Sequence, residues 1–303
     1  MKNVTIIYNP ESGSGMSKQH ALQLEDLFLK KGDESPQSIT LKEIRSGMHA
    51  REIAKFASEQ HCDLVVAIGG DGTVNQVAGG IVDGGSFSTL GIIPGGTVNN
   101  FARALKVPLD PRQAMENLWN GQVRSVDIGK VNDGYVISSM TLGLLADVAE
   151  DVSTEEKKKF GPLAFLKNLF RVLRKNKSYR LHLTFDGGTM FQKVKIMLVT
   201  MTNSVGGFDY FNPEASPDDG YFHVYLLSGL SLWKTILRMP YLLEGRFADI
   251  PEVSYFKTRC LMLASRKAKK IQIRIDGDPS YKLAINMKVI HKGLKVKVPY
   301  DSI

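Results

Sequence analysis

The stretch Ile68-Gly-Gly-Asp-Gly-Thr-Val-Asn75 decides the fold of this chain, and it directly follows the apolar run Asp63-Leu-Val-Val-Ala-Ile68. Such a run is typical of a buried strand, and the glycines that end it predict a tight turn into a helix. Glycine lets backbone N–H groups approach an anion closely, because no Cβ stands in the way. The start of a helix adds the positive end of its dipole. This stretch therefore predicts a phosphate-binding turn.

A second glycine-rich stretch, Ile93-Pro-Gly-Gly-Thr-Val-Asn-Asn-Phe-Ala-Arg103, follows the next apolar strand. Thr73 in the first stretch and Thr97 in the second could donate hydroxyl groups to phosphate oxygens. Asp71 suits a magnesium ion that bridges phosphates. The alternative is a pair of ordinary strand–helix turns, but two such turns, one with an embedded Asp-Gly-Thr, favour phosphate binding. The glycine spacing fits neither the P-loop nor the Rossmann dinucleotide motif.

Strands and helices alternate over the first 125 residues. The strand patterns are Val4–Asn9, Ser38–Leu41, Leu64–Ile68 and Leu90–Ile93, and the helical patterns are Ser17–Lys31, Ala50–Gln60, Val74–Ile81 and Gln113–Trp119, with one more helix across Phe101. Apolar strands joined by helices predict a parallel sheet, in which ligands bind beyond the carboxyl ends of the strands. Residues 1–125 are therefore predicted to form an α/β nucleotide-binding domain.

From about residue 126 the pattern changes to strands with short connections. They are Gly134–Met140, Tyr179–Phe185, Gln192–Met201, Tyr221–Leu227, Val253–Leu263, Lys270–Ile275, Tyr281–Ile290 and Lys295–Val298. Period-two alternation within several of them predicts a mostly antiparallel β-sandwich domain over residues 126–291.

The net charge of +8 lies entirely in the C-terminal part of the chain. Residues 1–125 hold 12 Lys and Arg against 13 Asp and Glu, whereas residues 126–303 hold 27 against 18. This asymmetry suggests an acidic partner, either anionic lipid or nucleic acid, although a solvated basic face is equally compatible. Because no nucleic-acid recognition motif accompanies the basic residues, we expect no nucleic-acid partner.

Residues 157–177 hold eight Lys and Arg and no acid, with apolar residues at helical spacing. Such a helix either lies in a membrane interface or packs its apolar stripe on the protein core. Residues 231–243 form a second candidate. No apolar run is long enough to span a membrane, no secretory signal is present, and the two cysteines, Cys62 and Cys260, give no disulfide framework. We expect a cytoplasmic protein that associates peripherally with membranes.

The motif Gly69-Gly70-Asp71-Gly72-Thr73 resembles one shared by diacylglycerol kinases, sphingosine kinases, NAD kinases and phosphofructokinases. The second stretch, from Pro94 to Arg103, narrows the resemblance to the diacylglycerol kinase catalytic family and its soluble bacterial lipid kinases. Four further motifs follow in that family's order: Asn9-Pro10-Glu11-Ser12-Gly13, Asp127-Ile128-Gly129, Asp218-Asp219-Gly220 and Asp276-Gly277-Asp278. The resemblance covers nearly the whole chain. It implies a first domain similar to those of NAD kinase and phosphofructokinase, to which a strand at about residues 292–303 returns.

The resemblance also implies that ATP and Mg²⁺ are bound. The ATP-binding residues would be Asn9, Pro10, Ser12, Gly13, Thr40, Gly69, Gly70, Asp71, Gly72, Thr73, Val74, Asn75, Gln76 and Thr97. Thr40 is included because it lies at the end of a predicted strand, where similar proteins have a threonine that contacts nucleotide. The alternative is an ordinary strand-end threonine with no contact to nucleotide.

Two magnesium sites follow from the resemblance. Asp71 and Asp127 would anchor the catalytic ion, directly or through water. The loop Ser216-Pro-Asp-Asp-Gly-Tyr221 resembles a structural magnesium loop, in which Asp219 would contribute its side chain, and Ser216 and Tyr221 their carbonyl groups. The alternative for this loop is an ordinary Asp-Gly hairpin turn.

The general base of the resembled kinases is an acid, usually Glu, directly after an Asp-Gly pair. Here that position is Asp278, whose shorter side chain changes the reach to the acceptor. Asn100 stands where those enzymes usually carry Asp, and Gln76 where they carry Glu. Both departures remove negative charge beside the metal.

These features predict an ATP-dependent lipid kinase that transfers the γ-phosphoryl group to a hydroxyl of diacylglycerol or a related lipid. Its substrate would lie at an anionic membrane surface, in phospholipid metabolism. Two alternatives remain: a kinase of a soluble acceptor such as NAD, and a degenerate member that binds nucleotide or lipid without turnover. A homodimer is left open.

Overall fold

The fold is that of a computed structural model, which describes residues 1–12, 15–45, 47–143, 178–207, 212–229, 241, 246–265 and 271–300. Gly13, the basic segment 157–177 and, apart from Tyr241, the segment 231–243 lie outside the described residues. The chain divides into two compact units. Unit 1 comprises Met1–Ile128, Pro217–Gly220 and Ile290–Ile303, and unit 2 comprises Gly129–Ser216 and Tyr221–Val289.

Unit 1 is built on a parallel sheet. Its strands are β1 (Asn3–Tyr8), β2 (Ser38–Glu43), β3 (Leu64–Gly69) and β4 (Thr89–Pro94), in the order β2-β1-β3-β4. The helices are α1 (Ser17–Leu29), α2 (Gly47–Glu59), α3 (Asp71–Asp83), α4 (Asn100–Ala104) and α5 (Pro111–Asn120). Every residue of β3 is buried, as expected for a strand covered on both faces. The predicted α/β class of the N-terminal part is confirmed.

The strands of unit 1 end at one common level. Tyr8 of β1 pairs with Glu43 of β2 and with Ile68 of β3, and Ile68 pairs in turn with Ile93 of β4. Both glycine-rich stretches begin immediately after these pairs. The register therefore places them side by side at the carboxyl edge of the sheet, where α/β proteins bind their ligands.

Unit 2 contains two mainly antiparallel sheets. The strands after β4 are β5 (Gln122–Val131), β6 (Gly134–Val136), β7 (Ser139–Gly143), β8 (Tyr179–Phe185), β9 (Gly188–Val194), β10 (Ile196–Thr200), β11 (Phe222–Leu227), β12 (Val253–Thr258), β13 (Cys260–Ala264), β14 (Gln272–Ile275), β15 (Asp278–Lys282) and β16 (Ile285–Val298), of which most of β5 and the end of β16 belong to unit 1. One sheet has the order β12-β11-β10-β7-β14-β15, and in the other β9, β8 and β13 pair with the start of β16. Apolar side chains of both sheets form one core, which confirms the predicted β-sandwich.

Four predicted strands each fall on two strands in the structure. Gly134–Met140 divides into β6 and β7, Gln192–Met201 into β9 and β10, Val253–Leu263 into β12 and β13, and Tyr281–Ile290 into the end of β15 and the start of β16. At each break the chain passes from one sheet to the other, so the prediction of continuous strands was wrong there. The apolar pattern continues through these breaks because the strands before and after each break pack against the same core. The opposite error occurs at the end of the chain. The sequence predicted a break between Ile290 and Lys295, but β16 runs unbroken from Ile285 to Val298.

No helix among the described residues is both long and apolar enough to cross a bilayer.

Candidate active site

The two glycine-rich turns of unit 1 touch each other through their backbones. The Gly95 amide donates to the Gly69 carbonyl over 2.8 Å. A Cβ added to Gly96 would lie 2.7 Å from the Gly70 Cα, and one added to Gly70 would lie 3.3 Å from the Gly96 Cα. The contact between the turns therefore requires glycine at position 96 and favours it at position 70, independently of any ligand.

Helix α3 begins within the first motif. The sequence pattern placed its start at Val74, but the structure has Asp71 as the first helical residue and Gly70 as an extended N-cap. The first helical hydrogen bond runs from the Val74 amide to the Gly70 carbonyl over 3.0 Å. The backbone N–H groups of Asp71, Gly72 and Thr73 consequently have no acceptor within the helix and suit an anion.

The Asp71 side chain links the first turn to the second. Its Oδ1 accepts from the amide of Phe101, in the first turn of α4, over 3.4 Å. In the second turn Asn99 adopts the left-handed conformation, and its side chain accepts from the Gly96 amide (3.0 Å) and donates to the Gly96 carbonyl (2.8 Å). The two turns thus form one hydrogen-bonded assembly, and Asp71 lies at its centre.

The predicted ATP-binding segment after β1 forms its own turn beside this assembly. The Asn9 amide extends the sheet by donating to the Ile68 carbonyl over 3.2 Å. The Asn9 side chain accepts from the Glu11 amide (3.0 Å), and the Ser12 hydroxyl donates to the Asn9 carbonyl (2.9 Å). Asn9, Pro10 and Ser12 therefore lie at the carboxyl edge, next to the first motif, where they were predicted.

Thr40 is not at a strand end. Strand β2 continues to Glu43, and Thr40 pairs with Thr5, the third residue of β1. At about 3.3 Å per residue, Thr40 lies roughly 10 Å short of the carboxyl edge. The expectation of a strand-end threonine was wrong, and Glu43, whose carboxylate accepts from the Tyr8 hydroxyl over 3.0 Å, occupies that level.

The remaining predicted nucleotide ligands differ in exposure. Thr97 is exposed, whereas Thr73 and Asn75 on α3 are buried, and the Thr73 side chain packs beneath Gly69. Gln76 Oε1 is buried without a hydrogen-bond partner among the described residues. An unpaired buried acceptor fits a hydrogen-bond donor from an ordered water or a ligand.

Asp127 is held entirely by the protein. Its side chain is buried, and Oδ1 accepts from the Lys292 amide (2.7 Å) and lies 2.8 Å from Nδ1 of His291. Oδ2 accepts from the Gly220 amide over 2.6 Å. Asp127 thereby fastens two distant segments of unit 1, and its role toward magnesium stays a prediction. His291 was given no role from the sequence, and its partner lies 164 residues away, beyond any local signal.

The predicted structural magnesium loop spans the division between the units. Asp219 belongs to unit 1, whereas Ser216 and Tyr221 belong to unit 2. Its neighbour Asp218 accepts from the Arg124 guanidinium over 2.7 Å. Within the described part of the chain, no group of three or more His, Cys, Asp or Glu residues could hold a metal ion. A site made largely of backbone carbonyls is a different arrangement and stays a prediction.

Asp276 and Gly277 form the two-residue turn of the β14–β15 hairpin. Both have positive φ angles, 50° and 95°, as a type I′ turn requires, and Ile275 pairs with Asp278 across it. The buried Asp276 carboxylate accepts from the amides of Ile137 (3.0 Å), Ser138 (2.8 Å) and Ser139 (2.8 Å). It therefore ties the hairpin to the corner between β6 and β7, a role that sequence reasoning missed.

Asp278, the predicted base, has a different environment. It is the first residue of β15 and is exposed. Within the described part of the chain, its carboxylate makes no hydrogen bond or ion pair, so both oxygens remain available to a ligand. The hairpin thus presents one engaged and one available carboxylate on either side of Gly277.

Comparison with protein-family models matches residues 3–131 to the diacylglycerol kinase catalytic domain. Residues 138–298 match the family described as the YegS C-terminal NAD kinase beta sandwich-like domain. The chain is 32% identical over 302 residues to the diacylglycerol kinase of Bacillus subtilis strain 168, covering 99% of this chain and 98% of that protein. It is 31% identical over 300 residues to the diacylglycerol kinase of Staphylococcus aureus strain JH9, covering 99% and 93%.

A solved structure of a diacylglycerol kinase from Bacillus anthracis strain Sterne has the same fold. The TM-score is 0.80 at 21% sequence identity, and the match covers 100% of this chain and 99% of the other. Together with the family matches, this likeness confirms the predicted fold class and the predicted family. The chain belongs to the diacylglycerol kinase family and is a kinase.

Proposed function

We propose that this kinase transfers the γ-phosphoryl group of ATP to a hydroxyl of diacylglycerol or a related lipid at a membrane surface. The observation that carries the proposal is the assembly of two glycine-rich turns at the carboxyl edge of the sheet, with the Asp71 carboxylate bonded to the second turn. The names of the curated relatives support diacylglycerol as the acceptor.

In this proposal unit 1 holds the nucleotide. The backbone N–H groups of the first turn of α3, from Asp71 to Thr73, would bind phosphate oxygens, and the exposed Thr97 hydroxyl would assist. Asp71 and Asp127 would anchor magnesium, directly or through water, and the ion when bound would neutralise charge on the phosphates. Asn100, buried at the start of α4, would orient the surrounding hydrogen bonds without adding charge.

In unit 2, Asp278 would accept the proton of the lipid hydroxyl as its oxygen attacks phosphorus. Its exposed and unengaged carboxylate is what a general base needs before substrate binds. Asp276 would keep the turn rigid through its three backbone hydrogen bonds, so that Asp278 presents its oxygens in a fixed position. We also propose the structural magnesium site at Asp219.

The test is magnesium-dependent ADP release from the full chain, with a panel of lipids in mixed micelles. We expect diacylglycerol or a related lipid to stimulate release. Asp71→Asn, which keeps an oxygen able to accept from the Phe101 amide but removes the charge, should lower turnover by about 10²-fold or more. Asp278→Ala should do the same while leaving ATP binding intact.

The rival functions give different results in the same assay. Release stimulated by NAD but by no lipid would establish a soluble acceptor. ATP binding without release under any condition would establish a degenerate member. In that case the double variant Gln76→Glu/Asn100→Asp, which restores the family's usual acids, should gain turnover. Wild-type turnover in Asp71→Asn would refute the proposed role of Asp71.

A further inference from the structure

One face of the β9-β8-β13-β16 sheet in unit 2 is open to solvent. Alternate residues of these strands, such as Leu181 and Leu183 of β8, belong to the core, so the intervening residues point outward. We define the open face by Arg180, His182, Phe191, Lys193, Met262 and Lys288. All but His182, which is partly buried, are exposed.

The open face carries an apolar centre. Phe191 is 81% exposed and Met262 is 54% exposed, and these two are the exposed large hydrophobic side chains among the described residues of unit 2. Phe191 pairs with His182 across β9 and β8, and their rings stack at 4.2 Å with an interplanar angle of 5°. Met262 lies beside them on β13, opposite Thr184. Stacking on His182 orients the Phe191 ring but leaves it exposed, and exposure of so large an apolar surface to water is unfavourable.

Cations flank this apolar centre at both ends. Arg180 and Lys193 are directly paired on β8 and β9, and Lys288 pairs with Cys260 at the opposite end. Within the described part of the chain, none of the three makes an ion pair. Like charges directly opposite each other destabilise a sheet, so the Arg180–Lys193 pair carries a cost in the free protein that an anionic partner would relieve.

Asp186, which directly follows β8, is already engaged. It accepts from the Arg259 amide (2.6 Å) and from the Cys260 thiol (2.8 Å). Asp and Glu are absent from the outward positions of the four strands as the structure describes them. The face therefore combines an aromatic anchor with unpaired cations, which is the chemistry that binds an anionic bilayer surface.

We propose that the open face docks on anionic lipid bilayers, with Phe191 entering the headgroup region and Arg180, Lys193 and Lys288 contacting lipid phosphates. A second copy of the chain is a poorer occupant, because it would bring the same cations against each other. The proposal rests on the proposed function in so far as a lipid substrate requires a membrane surface, but docking itself needs no turnover.

The test is sedimentation of the full chain with vesicles, without ATP. One set of vesicles contains 30% phosphatidylglycerol in phosphatidylcholine, and the other contains phosphatidylcholine alone. We expect binding to the anionic vesicles that weakens with salt. Arg180→Gln/Lys193→Gln should reduce it roughly 25-fold, at about fivefold for each cation removed. Phe191→Ser should reduce it about tenfold.

The matched controls lie in unit 1. Arg112→Gln/Lys295→Gln removes the same charge from exposed positions, and Phe87→Ser removes another exposed aromatic ring. Both should bind like the wild type. Cys260 gives a second readout on the open face, since anionic vesicles should slow its modification by a maleimide, while the buried Cys62 is the internal reference. Thermal unfolding of each variant confirms that it is folded.

Several outcomes would overturn the proposal: no binding of the wild type to anionic vesicles, equal losses in the face variants and the controls, or a change of oligomeric state in place of vesicle binding. Lipid phosphorylation in detergent micelles decides the proposed function separately. A kinase that is active in micelles but does not bind vesicles through this face would retain its function and lose only this docking surface.

Discussion

At the scale of single residues, the two acids of the hairpin turn Asp276-Gly277-Asp278 differ in role: Asp276 holds the structure, and Asp278 is available for chemistry. Residue type alone does not distinguish the two acids on either side of the glycine, and only the family resemblance pointed to Asp278 as the base. The structure distinguishes them by what they contact: Asp276 is buried on three backbone amides, and Asp278 is exposed and unengaged among the described residues. Substitution of Asp276 should therefore lower the stability of the protein, whereas substitution of Asp278 should lower its activity and leave its stability almost unchanged.

We expect Asp276→Ala to lower the free energy of unfolding by about 3–5 kcal/mol, because it leaves the amides of Ile137, Ser138 and Ser139 buried without an acceptor. Asp278→Ala should change it by less than about 0.5 kcal/mol. Urea unfolding of both variants measures the difference. Equal stability of the two variants would contradict the role given to Asp276.

Residue types predicted the position of the two glycine-rich turns better than they predicted why glycine is needed there. Gly70 and Gly96 mark the turns correctly, but the structure shows that the two turns touch, so that a Cβ on Gly96 would clash with Gly70 and one on Gly70 would crowd Gly96. Thr40 was misplaced because the length of β2 could not be read from a short apolar pattern. The contact of His291 with Asp127 joins residues far apart in sequence and had no local signal.

At the scale of elements, Asp63 connects the starts of two neighbouring strands. Its Oδ2 accepts from the amides of Lys2 (2.5 Å) and Asn3 (3.0 Å), just before β3 and at the start of β1. The hydrogen bond from Asn3 is the main cause that lowers the pKa of the Asp63 carboxyl below its ordinary value of 3.8. A carboxyl whose pKa is lowered by folding stabilises the fold when it is ionised.

The pH dependence follows from that sign. At pH 7 we expect Asp63→Asn to be less stable than the wild type by about 0.5–1 kcal/mol. The difference should shrink as the pH falls below the ordinary value of 3.8 and through the lower pKa of the folded state. Thermal unfolding at a series of pH values measures this gap. Asp26→Asn, which removes an exposed carboxylate paired with Lys30, is the control and should show almost no gap at any pH.

Elements were predictable where one pattern governed them from end to end. The buried strand β3 and the strand β8 were predicted nearly to the residue. Strands that pass from one sheet of the sandwich to the other were not predicted correctly, because the alternation of apolar and polar residues does not indicate a change of sheet. The break between β6 and β7 was unpredictable for a further reason. The amides at this break donate to the carboxylate of Asp276, which lies more than a hundred residues later in the sequence.

At the scale of the whole molecule, unit 1 is assembled from three separate segments of the chain. The end of β16 pairs with β4 in parallel, and its residues Leu294, Val296 and Val298 are fully buried. The Ser86 hydroxyl donates to the Gly293 carbonyl over 2.8 Å, and the Lys297 ammonium donates to the Gly121 carbonyl over 2.6 Å. The C-terminal strand is thus part of the core of unit 1.

We therefore expect the fragment of residues 1–128 to be unstable on its own. Circular dichroism and resistance to proteolysis, compared with the full chain, measure this. In the full chain, Val296→Ala should cost about 2 kcal/mol, because it opens a cavity beside β4. The exposed neighbour gives the matched control, since Lys295→Ala should stay within about 0.5 kcal/mol. A stable, native-like fragment would contradict this view of unit 1.

The return of β16 also sets an order of events on the ribosome. The strands and turns of the proposed nucleotide site are synthesised before the rest, yet their sheet gains its last strand only when residues 290–298 emerge. At roughly 5–20 residues per second, that strand follows the end of the first segment by about 10–30 seconds. Unit 2 is translated within that interval. Unit 1 starts to form first and is completed last, so a nascent chain should acquire nucleotide binding only after residues 290–298 have emerged.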